Sequence, residues 1–172
     1  MEGIILVDAD VIIDYFNGIA TISDAIDVLI KNDASGIPSI TLFELFAGIE
    51  GKKRLSAIET IAKSAIILPL NAQSAYQTGK IYTILKKEGK LIGNQDILIA
   101  GIAMANNLPL LTRNIDHFQR IKDLRIISPQ EVKKINPYGT CPQGAIGVSF
   151  KRMGRSRERS LFCPQKRRDN QI

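Results

Sequence analysis

The chain has 172 residues, 45% hydrophobic and 23% charged, which suits one soluble domain with a substantial core. Its formal net charge of +6 sits entirely at the end: residues 1–139 carry 15 basic and 15 acidic groups, whereas residues 140–172 carry eight and two. The longest apolar stretch, 97–104, is broken by Gly101 and falls short of the ~20 residues a membrane span needs; with no basic region before the run that stops at Asp8, neither a signal peptide nor a membrane association is expected, and the cytoplasm is the expected location.

In chain order, residues 4–7 read as a short buried strand. Residues 11–16 read as a first helix, and Ile22, Ala25, Ile26, Leu29 and Ile30 give a second its helical spacing. Asn32-Asp33 and Ser35-Gly36 mark a turn before a weak strand at 36–39. Helices are expected at 41–49, stopped by Gly51, and at 54–65. Residues 66–70 read as a strand whose Pro69 favours a sheet edge. A long amphipathic helix follows at 72–87, then a loop bounded by Gly89 and Gly93, then a largely apolar helix at 95–106. Strand 108–112, a short helix at 115–121 and strand 124–127 complete the pattern, which Pro129 and Pro137 close. Strands alternating with helices predict a three-layer α/β/α domain over residues 1–138 with a parallel central sheet. Residues 139–172 form a basic tail of Gly, Ser, Pro, Gln and Arg, expected to be disordered. Both cysteines, Cys141 and Cys163, lie in that tail without CxxC spacing, so they read as free thiols.

Four acids follow or open apolar runs: Asp8 after Ile4-Ile5-Leu6-Val7, Glu44 in Thr41-Leu42-Phe43-Glu44, Asp96 before Ile97-Leu98-Ile99-Ala100, and Asp116 after Leu110-Leu111-Thr112. In a parallel α/β domain these positions fall at strand carboxyl ends or in the first turn of the next helix, the edge at which such sheets bind ligands. Each acid has a plainer role: Asp8 as a helix cap, Glu44 in a capping box with Thr41, Asp96 and Asp116 as complements to helix dipoles. Four together repel, since two carboxylates ~4 Å apart cost about 4 kcal/mol at an effective dielectric of ~20. A divalent cation relieves that repulsion, and hard oxygen ligands suit Mg2+ or Mn2+. Asp10, Asn94 and Asn114 add polar partners, whereas Asp14, one and a half turns from Asp8, reads as peripheral.

The segments Leu6-Val7-Asp8-Ala9-Asp10-Val11-Ile12-Ile13-Asp14, Thr41-Leu42-Phe43-Glu44-Leu45, Asp96-Ile97-Leu98-Ile99-Ala100 and Leu111-Thr112-Arg113-Asn114-Ile115-Asp116-His117-Phe118 resemble the motifs of PIN-domain ribonucleases, most nearly the VapC-type toxins of toxin–antitoxin pairs. The likeness runs in order from residue 3 to about 130. It implies a five-stranded parallel sheet, a magnesium-dependent endoribonuclease acting on RNA, a VapB-type antitoxin that blocks the acidic groove, and a homodimer. It also implies that Asp8 and Asp96 are the principal metal ligands and Glu44 the third acid. The fourth place falls on Asp116, with Asn114 competing for it. Thr112 matches the supporting hydroxyl. Arg113 is either a phosphate ligand or a solvated loop arginine.

His117 is the only histidine, which excludes a histidine-pair ribonuclease; it reads as a surface or capping residue. A haloacid-dehalogenase-like phosphatase with Asp8 as nucleophile is the second reading, but it leaves Glu44 unexplained and lacks a later acidic pair. A PIN nuclease of RNA maturation, working without an antitoxin, is a third. Dinucleotide binding fails for want of GxGxxG or GxxxxGK[ST] after the first strand. The arginine-rich tail reads as a dispensable extension, with RNA binding as the alternative. The particular RNA cut is not legible in the residues.

Overall fold

A computed structural model describes residues 3–132. The boundary at 138 and the tail of 139–172, with its expected disorder and its two cysteines, lie outside the described residues. The elements run β1 (Ile5–Val7), α1 (Ala9–Phe16), α2 (Ala20–Lys31), β2 (Ser35–Pro38), α3 (Ser39–Ala47), α4 (Lys52–Ser64), β3 (Ile66–Leu68), α5 (Ala72–Lys87), α6 (Asn94–Ala105), β4 (Leu110–Leu111), α7 (Ile115–Phe118), β5 (Ile126–Ile127) and α8 (Pro129–Val132). The five strands form one sheet in the order β3-β2-β1-β4-β5, every pair parallel. This is the expected three-layer α/β/α architecture.

Side chains alternate across the sheet, so its strands feed two cores. Ile5, Val7 and Leu111 point to one side, where Val11, Ile12, Ile26, Leu29, Leu45 and Ile58 cover them from α1 to α4. Ile4, Leu6 and Leu110 point to the other, against Ile81, Leu85, Ile97, Ile99, Ile102 and Phe118 from α5, α6 and α7. Burial on both faces explains why β1 and β4 read as continuous apolar runs. Gly36 in β2 makes room for the first strand's side chains: a Cβ there would meet Ile4 Cγ2 and Leu6 Cδ2 at 2.9 Å each.

The chain passes from β1 outward through β2 to β3, then crosses back to place β4 on the other flank of β1. The connections leaving β1 and β4 therefore diverge, and a crevice opens at the carboxyl ends of these two strands. β3 occupies an edge, as Pro69 suggested.

Two local expectations change. α3 begins at Ser39 straight from Pro38, so Thr41 lies within the helix, its buried Oγ1 without a hydrogen-bond partner, and Thr41–Glu44 is no capping box. Ser39 instead ties the sheet edge, its Oγ accepting from Leu70 N at 3.2 Å. The short α8 is the second change. Ser128 N and Oγ both donate to Glu131 Oε2, at 2.6 and 2.7 Å, which is the S-x-x-E pattern that starts a helix, and Val132 is buried against the core that includes α2.

Candidate active site

Asp8 ends β1 and caps α1. Its Oδ1 accepts from Ala9 N at 2.8 Å and its Oδ2 from Thr112 Oγ1 at 2.9 Å. Thr112 follows β4, so this one bond closes the crevice between the two strands. Asp8 is only 5% exposed. Burial, then the negative charge of Asp10, pushes its carboxyl up to a pKa of about 7; Glu44 adds to the rise, and the bonds from Ala9 and Thr112 oppose it.

Asp10, in the first turn of α1, reaches the same loop. Its Oδ2 accepts from Arg113 N at 2.9 Å and lies 3.4 Å from Thr112 Oγ1. Its Oδ1 is buried with no hydrogen-bond partner. Burial raises its pKa, against the bonds from Arg113 and Val11. One turn on, Asp14 pairs with the Arg113 guanidinium. Arg113 is thus held by α1, and a role as phosphate ligand requires it to leave Asp14.

Glu44 projects from the middle of α3 and is half-buried. Burial raises its pKa first, then the charges of Asp96 and Asp10. Glu44 accordingly shares a field with Asp8, Asp10 and Asp96. Asp96 stands in the first turn of α6, which has no side-chain cap of its own. Its Oδ2 lies 2.7 Å from His117 Nδ1 and 3.5 Å from Asn114 Nδ2, and that Nδ2 lies 2.8 Å from His117 Nδ1. Asn114 N also donates to Thr112 Oγ1 at 3.1 Å, so the β4–α7 turn touches both Asp8 and Asp96.

The structure therefore gathers Asp8, Glu44 and Asp96 with Thr112 and Asn114. Asp116 is exposed on α7, where its Oδ1 accepts from Gln119 Nε2 at 3.3 Å. Two further residues touch this network. Asp10 was legible only as an extra carboxylate two positions after Asp8. His117, read as a surface or capping residue, contacts Asp96; a four-residue helix offers too little periodicity to show which way it points.

No salt bridge engages Asp8, Asp10 or Glu44 among the described residues. The oxygen donors, the orphaned Asp10 Oδ1 and the raised carboxyl pKa values fit a hard divalent cation. Among the described residues no three acidic, histidine or cysteine groups meet closely enough to enclose an ion unaided. Apolar grooves lie elsewhere, along α5 at Tyr76, Lys80 and Ile84, and between α5 and α6 at Tyr82 and Ile97.

The PIN domain family model matches residues 5–124 of this chain. Ribonuclease VapC2 of Rickettsia felis is 35% identical over 103 residues, covering 58% of this chain and 77% of that protein. The chain belongs to the PIN-domain family, in its VapC group. Ribonuclease VapC1 of Haemophilus influenzae is 36% identical over 108 residues, covering 60% of this PIN-domain chain and 81% of the relative. Among solved structures, VapBC2 from Rickettsia felis bound to a promoter DNA fragment superposes with a TM-score of 0.67 at 29% identity, covering 73% of this chain and 98% of the other. The PIN-domain fold and the five-stranded parallel sheet are thus as the motifs implied.

Proposed function

We propose that this PIN-domain chain is a magnesium-dependent endoribonuclease that hydrolyses RNA phosphodiester bonds as the toxin of a toxin–antitoxin pair, working in the cytoplasm. The observation that carries the reading is the hydrogen-bonded link at the β1/β4 crevice from Asp8 through Thr112 and Asn114 to Asp96, with Asp10 on the same hydroxyl and Glu44 in the field of these acids. The VapC relatives, named as ribonucleases, support the reaction class.

Asp8 and Asp96 would hold the ion, and Mn2+ would substitute for Mg2+. When bound, such an ion polarises a phosphoryl oxygen and lowers the pKa of a coordinated water. The residues do the rest. Thr112 donates to Asp8 Oδ2 and fixes its orientation. Glu44 orders water across the crevice from Asp10 and Asp96. We assign the fourth acid to Asp10, whose free Oδ1 lies at the site, ahead of Asp116, whose carboxylate is engaged by Gln119. Arg113 holds α1 against the loop through Asp10 and Asp14.

The structural neighbour VapBC2 of Rickettsia felis is bound to a DNA fragment from its promoter. A VapB-type antitoxin fits the apolar surface beside Glu44, where Phe43 and Phe46 are 59% and 41% exposed. The exposed Tyr76 and Ile84 of α5 supply a face for a second copy of the chain. These relatives favour the toxin over a nuclease of RNA maturation. The phosphatase alternative finds Asp8, Asp10 and Thr112 together, yet gives Glu44 and Asp96 no work, and the family match points away from it.

Digestion of RNA by the intact chain, with and without Mg2+ and beside Asp96→Asn, tests the reading. Cleavage is expected only for the unsubstituted chain with Mg2+. Undiminished cutting by Asp96→Asn, or phosphate release from a simple monoester without RNA cutting, would overturn it.

A further inference from the structure

We propose that His117 is a positioning residue for Asp96: its Nδ1–H holds one carboxylate oxygen so that the other is presented to the bound cation. The inference rests on the nuclease reading and deepens it.

Three contacts form a triangle. His117 Nδ1 lies 2.7 Å from Asp96 Oδ2 and 2.8 Å from Asn114 Nδ2, while Asn114 Nδ2 lies 3.5 Å from Asp96 Oδ2. They cannot all be hydrogen bonds as drawn. If Asn114 donated to Nδ1, the ring nitrogen would be an acceptor facing a carboxylate oxygen at 2.7 Å, and two acceptors repel. Against an ionised Asp96, the arrangement that attracts puts the proton on Nδ1. The proton position is assigned from this network. At 2.7 Å the Nδ1–H···Oδ2 bond is short and charge-assisted, the strong kind of hydrogen bond.

Apart from the long 3.5 Å contact with Asn114, Asp96 has no other side-chain anchor among the described residues. Gly93 precedes α6 and offers no capping side chain, and Asp96 Oδ1 makes no hydrogen bond among the described residues. One oxygen is thus tied to α7, the other makes no hydrogen bond among the described residues, and the charge of Asp96 is felt at Glu44. His117 is itself steadied by its neighbour Phe118, which is fully buried in the core with α6. A ligand carboxylate fixed in this way loses less freedom when the ion arrives, and loss of such a supporting partner costs about 10–100-fold in metal affinity.

The test is calorimetric titration of Mn2+ into the full chain, with the Mg2+ dependence of RNA cleavage alongside. His117→Ala is expected to weaken Mn2+ binding by about tenfold or more and to raise the Mg2+ concentration for half-maximal cleavage in step. His117→Asn places an amide N–H near the position of Nδ1 and is expected to stay close to the unsubstituted chain. His117→Gln places its amide near Nε2 instead and is expected to behave like alanine. Should His117→Ala fail to fold, the Asn and Gln variants still decide. A lowered melting temperature with unchanged Mn2+ affinity would show a merely structural histidine and overturn the proposal, as would equal binding by the Asn and Gln variants. If the unsubstituted chain binds no Mn2+ and cuts no RNA, the nuclease reading falls and this proposal with it; if it does both and His117→Ala matches it, only the role of His117 falls.

Discussion

Burial holds the Asp8 carboxyl at a pKa of about 7, against 3.8 for the free side chain. The folded, metal-free protein therefore binds that proton more tightly than the unfolded chain does. This contribution to stability is complete below about pH 4 and is lost as pH rises through about 7. Asp8→Asn cannot ionise, so it should escape the loss. Thermal melts without metal are expected to show the variant gaining on the parent between pH 5 and pH 8, by on the order of a few kcal/mol. The same variant should lose magnesium-dependent cleavage; equal pH profiles for both proteins would remove the buried-acid account. Added Mg2+ should reverse the ranking, because only the ionised parent gains by binding it. Thr112→Val should leave Asp8 Oδ2 buried without its donor and cost about 1–3 kcal/mol, whereas Thr112→Ser keeps the hydroxyl and most of the stability in the same melts. Asp8, Thr112 and Asp96 were legible because a residue just past an apolar strand, or opening a buried helix, has little choice of where to sit. The directions of Asp116 and His117 were not. Which side chain turns inward on so short a segment as α7 depends on packing of Phe118, and no periodicity encodes that.

α5 and α6 pack with almost no gap at Gly101, the residue that breaks the longest apolar run. A Cβ there would fall 1.9 Å from Thr78 Oγ1 and 2.9 Å from the Ser74 carbonyl oxygen. The Thr78 hydroxyl already donates to that carbonyl at 2.9 Å, so side chain and backbone would both have to yield. Gly101→Ala is expected to destabilise the domain by roughly 1–3 kcal/mol despite its better helix propensity, measurable by urea unfolding. A neutral or stabilising result would mean the helices can part freely. Spacing revealed the long helices well, and Ala72–Lys87 has the limits the pattern gave. The strands were harder. Only Leu110 and Leu111 of the expected 108–112 keep strand pairing, since Asn107 has a positive φ of 53° and Pro109 has no N–H to donate. The Thr41–Glu44 spacing misled for a related reason: Pro38 turns the chain from strand to helix at once, three residues earlier than a cap at Thr41 requires.

At the scale of the molecule, the first 139 residues are electrically balanced and the remainder carries the whole net charge. Truncation after Tyr138 is expected to leave the melting temperature and magnesium-dependent cleavage in place. RNA-binding titrations at several salt concentrations check the tail, because phosphate-binding basic groups steepen the salt dependence. A several-fold loss of affinity on truncation would show that the tail recruits substrate. The architecture was legible as an alternation of strands and helices, which leaves parallel pairing as the simplest closure. Strand order was not, because nothing local in β4 says that it returns to the flank of β1.

That return has a consequence for when the protein becomes active. The bond from Thr112 to Asp8 joins residues 104 positions apart. A chain still being translated carries its first aspartate from the outset, but holds no finished pocket until β4 has emerged from the ribosome and slotted in beside β1. Chemistry of any kind at this crevice therefore waits on β4 taking its place beside β1.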